Sequence, residues 1–122
     1  MILGNLDKTP IATAENIQGM RDMFTPMVTA PTEIDQPFLD AITHEDVHID
    51  TTPYGASKTS MRLRIIRPKD LKTDGGPIRA LVYCHGGGMN MFDVESCMKL
   101  EARHAVASST ICFVPDFENA PE

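Results

Sequence analysis

An apolar segment, Ile78 to Cys84, runs directly into His85, Gly86, Gly87 and Gly88, and a helical pattern from Val94 to Ala107 leads to a second apolar segment, Ile111 to Val114. This order constrains the fold more than any other feature of the chain. Two short apolar strands joined by a helix-length segment predict a βαβ unit with parallel strands and a right-handed crossover. Three glycines at the end of a strand contribute nothing to a sheet. Lacking Cβ atoms, they let backbone N–H groups approach a ligand or a developing negative charge closely. A pair of N–H groups at such a turn can form an oxyanion hole.

Upstream, Val47, Ile49 and Thr51 alternate with His48 and Asp50, the pattern of a half-buried strand. Pro53, Tyr54 and Gly55 supply a turn, and Met61 to Arg67 form a second strand, so the two predict an antiparallel hairpin. Arg62, Arg64 and Arg67 alternate closely with Met61, Leu63 and Ile65 and read as the solvated face of that strand. Asp74 to Pro77 forms a further turn. Nearer the N-terminus, Thr9 and Pro10 suit an N-cap and a first helical position. Ile17, Met20, Phe24, Met27 and Val28 then follow helical spacing, in a helix bent or ended near Thr25 and Pro26. A connection from Pro31 to Pro37 precedes a short apolar patch at Phe38, Leu39, Ala41 and Ile42.

At 122 residues, 42% hydrophobic and 23% charged, the chain suits one small globular domain. A net charge of −6 argues against nucleic acid as a partner, because phosphate binding needs a concentrated positive surface. Met1, Ile2 and Leu3 are followed at once by Gly4 and Asn5, which leaves no apolar core for a signal peptide and no spanning helix. Three cysteines, an odd number, fit a reducing compartment. The expectation is a cytoplasmic protein with no membrane partner.

After the second strand of the βαβ unit the sequence reads Asp116, Phe117, Glu118, Asn119, Ala120, Pro121, Glu122. With the His85 to Gly88 motif, this resembles the hormone-sensitive-lipase-like branch of the α/β-hydrolases. In that family a His-Gly-Gly-Gly motif is followed, about thirty residues on, by Asp-Tyr-Arg-Leu-Ala-Pro-Glu. Asp116 and Ala120 to Glu122 match the second motif; Phe117, Glu118 and Asn119 depart from it. The glycine usual a few positions beyond the triplet is also missing from Met89 to Phe92.

The resemblance implies an α/β fold: the N-terminal part of an α/β-hydrolase sheet, made of an antiparallel hairpin and a parallel βαβ unit. Residues 1–42 would form an N-terminal helical cap segment, and residues 43–122 an incomplete hydrolase domain. It implies a serine carboxylic-ester hydrolase in which the Gly87 and Gly88 N–H groups form the oxyanion hole. His85, Gly86 and Asp116 would support that loop, and no cofactor is needed. The nucleophile, acid and histidine of the triad fall downstream of the Ala-Pro-Glu motif in that family. This polypeptide alone is therefore expected to be inactive. A small acyl ester would be its substrate once a C-terminal part completes it, and self-association or a complementing polypeptide would cover the open strand edge. The competing class is a non-catalytic binding or assembly module built on the same scaffold.

Other motifs carry less. His44, Glu45 and His48 match the zinc-protease pattern, but on a strand the two histidines stand about 13 Å apart and cannot share one metal. No metal site is expected. Ser96 and Lys99 match a Ser-x-x-Lys pattern without its companion motifs, and Gly55, Ser57 and Thr59 lack the second glycine of a nucleophile elbow. Met91 replaces the third glycine of a dinucleotide fingerprint. Cys84, Cys97 and Cys112 read as small core residues, and His104 as a solvated helix position.

Overall fold

A computed structural model describes residues 13–55 and 59–120. Its elements are α1 (Ile17–Thr29), α2 (Gln36–Asp40), β1 (Ile42–Asp50), β2 (Ser60–Pro68), β3 (Ala80–Val82), α3 (Met98–Ser108) and β4 (Ile111–Pro115). The strands form one sheet in the order β1-β2-β4-β3. β1 and β2 are the expected antiparallel hairpin, with Ile42 opposite Pro68 and Asp50 opposite Ser60. β3 and β4 are the expected parallel pair, β2 runs antiparallel to β4, and α3 connects β3 to β4.

The core lies between the sheet and α3. Ile42, Ile66, Cys112 and Val114 from the strands meet Val94, Ala102 and Ala105, and Phe38 and Leu39 of α2 close one end. Alanines on the inner face of α3 let the helix approach the sheet closely, and Ser109 stops it in a left-handed conformation at φ 48. α3 begins four residues later than its apolar pattern predicts. The Asp93 carboxylate accepts the Ser96 N–H at 2.9 Å and the Ser96 hydroxyl at 2.6 Å, holding residues just before the helix in a turn.

Several expectations change. The Thr9 and Pro10 cap lies outside the described residues. α1 opens instead after a reciprocal pair, in which the Thr13 N–H donates to Asn16 Oδ1 at 2.7 Å and the Asn16 N–H to Thr13 Oγ1 at 3.3 Å. Of the two alternatives at Thr25 and Pro26, a bend or an end, the end is not found. The helix continues to Thr29, because a proline in the last turns removes only one intrahelical bond, and the Ala30 N–H to Pro26 carbonyl bond closes the end. β1 starts at Ile42, earlier than expected, and buries only that residue; it is an edge strand, so Val47 and Ile49 stay exposed. Cys97 and Cys112 are core residues, but Cys84 is exposed, because it follows the short edge strand β3. His104 is solvent-exposed, as predicted.

The largest correction concerns β2. Arg64 is 4% exposed and is not part of a solvated face. β2 is an inner strand, and its guanidiniums meet acids from neighbouring segments. Arg64 bonds both oxygens of Asp46, its cross-strand partner, at 2.8 and 2.9 Å, and both oxygens of Glu95 at 2.8 and 2.7 Å. These bidentate contacts hold the Asp46 and Glu95 carboxyls below their ordinary range.

Candidate active site

The glycine loop leaves β3 under tight backbone control. Gly87 has φ 118, and a Cβ there would collide with the Met91 carbonyl oxygen and lie 2.9 Å from the Phe92 ring. Gly88 has φ 64, and a Cβ there would meet Asn90 Oδ1 only at an ordinary 3.8 Å, so conformation alone favours glycine there. Met89 and Phe92 also occupy the left-handed region, at φ 59 and 69. They fall in the stretch where the motif usually supplies another glycine, and each carries backbone strain.

The Gly87 carbonyl accepts the Asn90 and Met91 N–H groups at 3.3 and 3.2 Å, which curls the loop back on itself. Among the described residues, neither the Gly87 nor the Gly88 N–H has a protein acceptor. His85 is buried beneath the loop. Its Nδ1 lies 2.9 Å from the Gly86 carbonyl oxygen, so the tautomer protonated at Nδ1 donates there, and the buried Nε2 has no partner among the described residues. The imidazole stacks on Phe117, with centroids 4.2 Å apart and planes 10° apart.

The segment after β4 holds the loop from the other side. Asn119 Nδ2 donates to the Phe92 carbonyl at 2.7 Å, and the Ala120 N–H to the Met89 carbonyl at 2.7 Å. Among the described residues, no hydrogen bond joins the Asp116 carboxylate to the glycines. Its Oδ2 accepts Arg62 Nε and Nη2 at 3.0 and 2.9 Å, and its Oδ1 receives the Val94 N–H at 3.4 Å. Asp116 thus anchors the base of the segment that carries Phe117, Asn119 and Ala120. From α1, Arg21 donates to the carbonyls of Asn90 and Ala120.

Beside the loop, α1 and residues Asp116 to Asn119 enclose a groove of about 880 Å³, with Gln18, Arg21, Asp22 and Thr25 on one wall and Phe92 at the junction with the glycine loop. Gly87 and Gly88 are not in its wall. Under α3, Glu101 is completely buried, and neither carboxyl oxygen has a hydrogen-bond partner among the described residues. Burial pushes its carboxyl up to about 8; Arg64 opposes that shift and Glu95 adds to it.

The structure thus brings His85, Gly86, Gly87 and Gly88 together above Phe117, with Asp116 one step removed. Sequence reasoning missed Arg21, Arg62, Asn119 and Glu101. No local pattern marks these roles, because the partners of Arg21, Arg62 and Asn119 come from distant segments and the burial of Glu101 comes from packing. The motifs set aside also find ordinary places. His44 and His48 lie on β1, and no cluster among the described residues could hold a metal. Ser96 donates to Asp93, while Lys99 donates to the Ala30 carbonyl at 2.9 Å. Ser57 lies outside the described residues.

No family model matches the sequence, and no curated protein matches it. Solved structures do. An esterase from Pyrobaculum calidifontis is 22% identical with a TM-score of 0.66, the match covering 93% of this chain and 34% of the esterase. A thermostable esterase from Pseudomonas putida is 21% identical with a TM-score of 0.67, covering 95% and 33%. A bacterial heroin esterase is 17% identical with a TM-score of 0.70, covering 95% and 34%. The chain has the fold of the N-terminal part of an α/β-hydrolase. It spans about a third of each of these esterases. The α/β-hydrolase sheet expected from the glycine triplet and Asp116 is the one found. No helix among the described residues is long and apolar enough to cross a membrane.

Proposed function

We propose that the chain supplies the oxyanion-hole part of a serine carboxylic-ester hydrolase of the hormone-sensitive-lipase-like family, acting on a small acyl ester. The observation that carries this reading is the Gly87 and Gly88 pair, held at positive φ with neither N–H group claimed by an acceptor among the described residues. Two such donors stabilise a carbonyl oxygen as it becomes an oxyanion, and each is worth about 3–4 kcal/mol of transition-state free energy in hydrolases of this kind. His85 and Gly86 hold the loop from below, and Asp116 holds the segment that braces it. In this reading α1 belongs to a cap segment and walls the adjoining groove.

In this reading the nucleophilic serine and its histidine and acid belong to the part of the hydrolase that the chain does not match, so catalysis requires that part, in the same chain or in a complementing one. The test is the chain completed by that part, in one polypeptide or as a complementing one, as wild type and as Gly87→Ala. Displacing the loop N–H groups lowers kcat for a nitrophenyl ester by about 10²-fold or more, with a smaller change in KM. Retained kcat with a folded Gly87→Ala protein would remove the oxyanion assignment.

A further inference from the structure

α1 is thinly attached to the domain: only Ile17 is buried, and Met23 and Met27 are 54% and 71% exposed. One side chain nonetheless reaches from its middle into the glycine loop. Arg21 Nε donates to the Asn90 carbonyl at 2.9 Å, and Nη2 to the Ala120 carbonyl at 3.2 Å. The Asn90 carbonyl belongs to the same peptide unit as the Met91 N–H, which donates to the Gly87 carbonyl at 3.2 Å. The Gly87 carbonyl in turn shares a peptide unit with the Gly88 N–H, which has no protein acceptor among the described residues. In a trans peptide the C=O and N–H point in opposite directions. A guanidinium charge, two peptide dipoles in series and a free donor therefore lie along one hydrogen-bonded path.

We propose that Arg21 is a positioning residue that orients and polarises the Gly88 N–H through these two peptide units. Hydrogen bonds in such a chain strengthen one another, and a charge at the carbonyl end enhances the donor at the far end. The second bond, to Ala120, fixes the guanidinium plane and joins the two segments already linked by the Ala120 N–H to Met89 carbonyl bond. A lysine carries the charge on a single nitrogen and lacks the planar fork that bridges both carbonyls. The N-terminal helix thereby sets the donor strength of a loop that it does not cover. This deepens the oxyanion reading and rests on it for its purpose.

The experiment compares wild type with Arg21→Met, Arg21→Lys and Arg21→Gln by amide resonances and hydrogen exchange, with Gln18→Ala as a control on the same helix. The expected result is a shift of the Gly88 and Met91 amide resonances and about tenfold faster exchange at Met91 in Arg21→Met. Smaller changes are expected in Arg21→Lys, none in Gln18→Ala, and protection of β2 and β4 is retained throughout. If Arg21→Met loses the fold, the same comparison is read from Arg21→Lys and Arg21→Gln. An unmoved Gly88 amide in any folded Arg21 variant overturns the proposal, as does a uniform loss of protection across the sheet. The readout is independent of turnover. Failure of the chain to hydrolyse esters once completed, in one polypeptide or by a complementing one, would remove the esterase reading and leave this coupling in place, whereas an unmoved Gly88 would do the reverse.

Discussion

Arg62 and Asp116 hold each other twice: the guanidinium donates two bonds of 3.0 and 2.9 Å to one carboxylate oxygen, and the Asp116 N–H returns to the Arg62 carbonyl at 2.9 Å. Side chain and backbone thus lock the end of β4 onto β2 where the segment bracing the glycine loop begins. Arg62 also reaches Glu95 at 3.0 Å. Replacing it with methionine leaves Asp116 without its main donors. With the Arg62 side chain 29% exposed, the expected loss is about 1–2 kcal/mol, the lower part of the range for charged hydrogen-bonded pairs. Denaturant unfolding checks this. An unchanged midpoint for Arg62→Met would show that the pair is solvated away.

Glu101 reverses the usual pH dependence of a carboxyl. Its folded carboxyl is pushed up to about 8 from an ordinary 4.5, so between those values the folded chain holds a proton that the unfolded chain has released. Stability from this group therefore falls as pH rises through that window. Asp46 and Glu95 act oppositely. Their carboxyls lie below the ordinary range, so their contribution is present at neutral pH and is lost only as pH falls through their depressed values. Thermal midpoints should accordingly decline from pH 5 to pH 9 in wild type, and Glu101→Gln should flatten that decline. Parallel curves for the two proteins would contradict the burial argument.

Backbone strain in the loop gives opposite predictions for two neighbours. Met89 is 71% exposed at φ 59, so Met89→Gly relieves strain at little cost in packing and should leave stability equal or higher by up to about 1 kcal/mol. Gly87→Ala combines φ 118 with a collision against backbone and should cost more than about 1 kcal/mol. Matched unfolding curves decide both. A stabilised Gly87→Ala would mean that the loop has another accessible conformation.

Much of this architecture was legible in the sequence. Alternation around Val47 and Leu63, the turn at Gly55 and the apolar runs flanking α3 identify the strands and their pairing, because local periodicity reports which elements form. The glycine triplet located the candidate site for the same reason: a requirement for φ near 118 at Gly87 leaves a compositional mark. What remained hidden depends on distant partners. Arg64 looks solvent-facing until Asp46 and Glu95 are brought to it, and Glu101 looks like any helix acid until α3 packs it against the sheet. Arg21 has no pattern at all, since its acceptors are backbone carbonyls from far along the chain.

The edge of β3 predicts association. In its parallel pairing with β4, the Arg79 carbonyl accepts the Ile111 N–H and the Tyr83 N–H reaches the Phe113 carbonyl. Ala80 and Val82, between those residues, thus point their backbone groups off the sheet, and the Val82 side chain is 68% exposed. We propose that this edge takes up a further strand, from a second copy or from the completing part of the hydrolase. Sedimentation of the 122-residue chain should show concentration-dependent association that Val82→Lys weakens. A monodisperse monomer with strong exchange protection across β3 would contradict it.

The most direct measurement for the central claim compares the 122-residue chain alone with the same chain completed by the part of the hydrolase it does not match, in one polypeptide or as a complementing one. Each is treated with a fluorophosphonate probe and a short-chain nitrophenyl ester. The account predicts covalent serine labelling and turnover in the completed protein and neither in the chain alone. Labelling of the chain alone would contradict it by locating a nucleophile within these residues. A completed protein that is neither labelled nor active would contradict it by showing the scaffold to be a non-catalytic binding module.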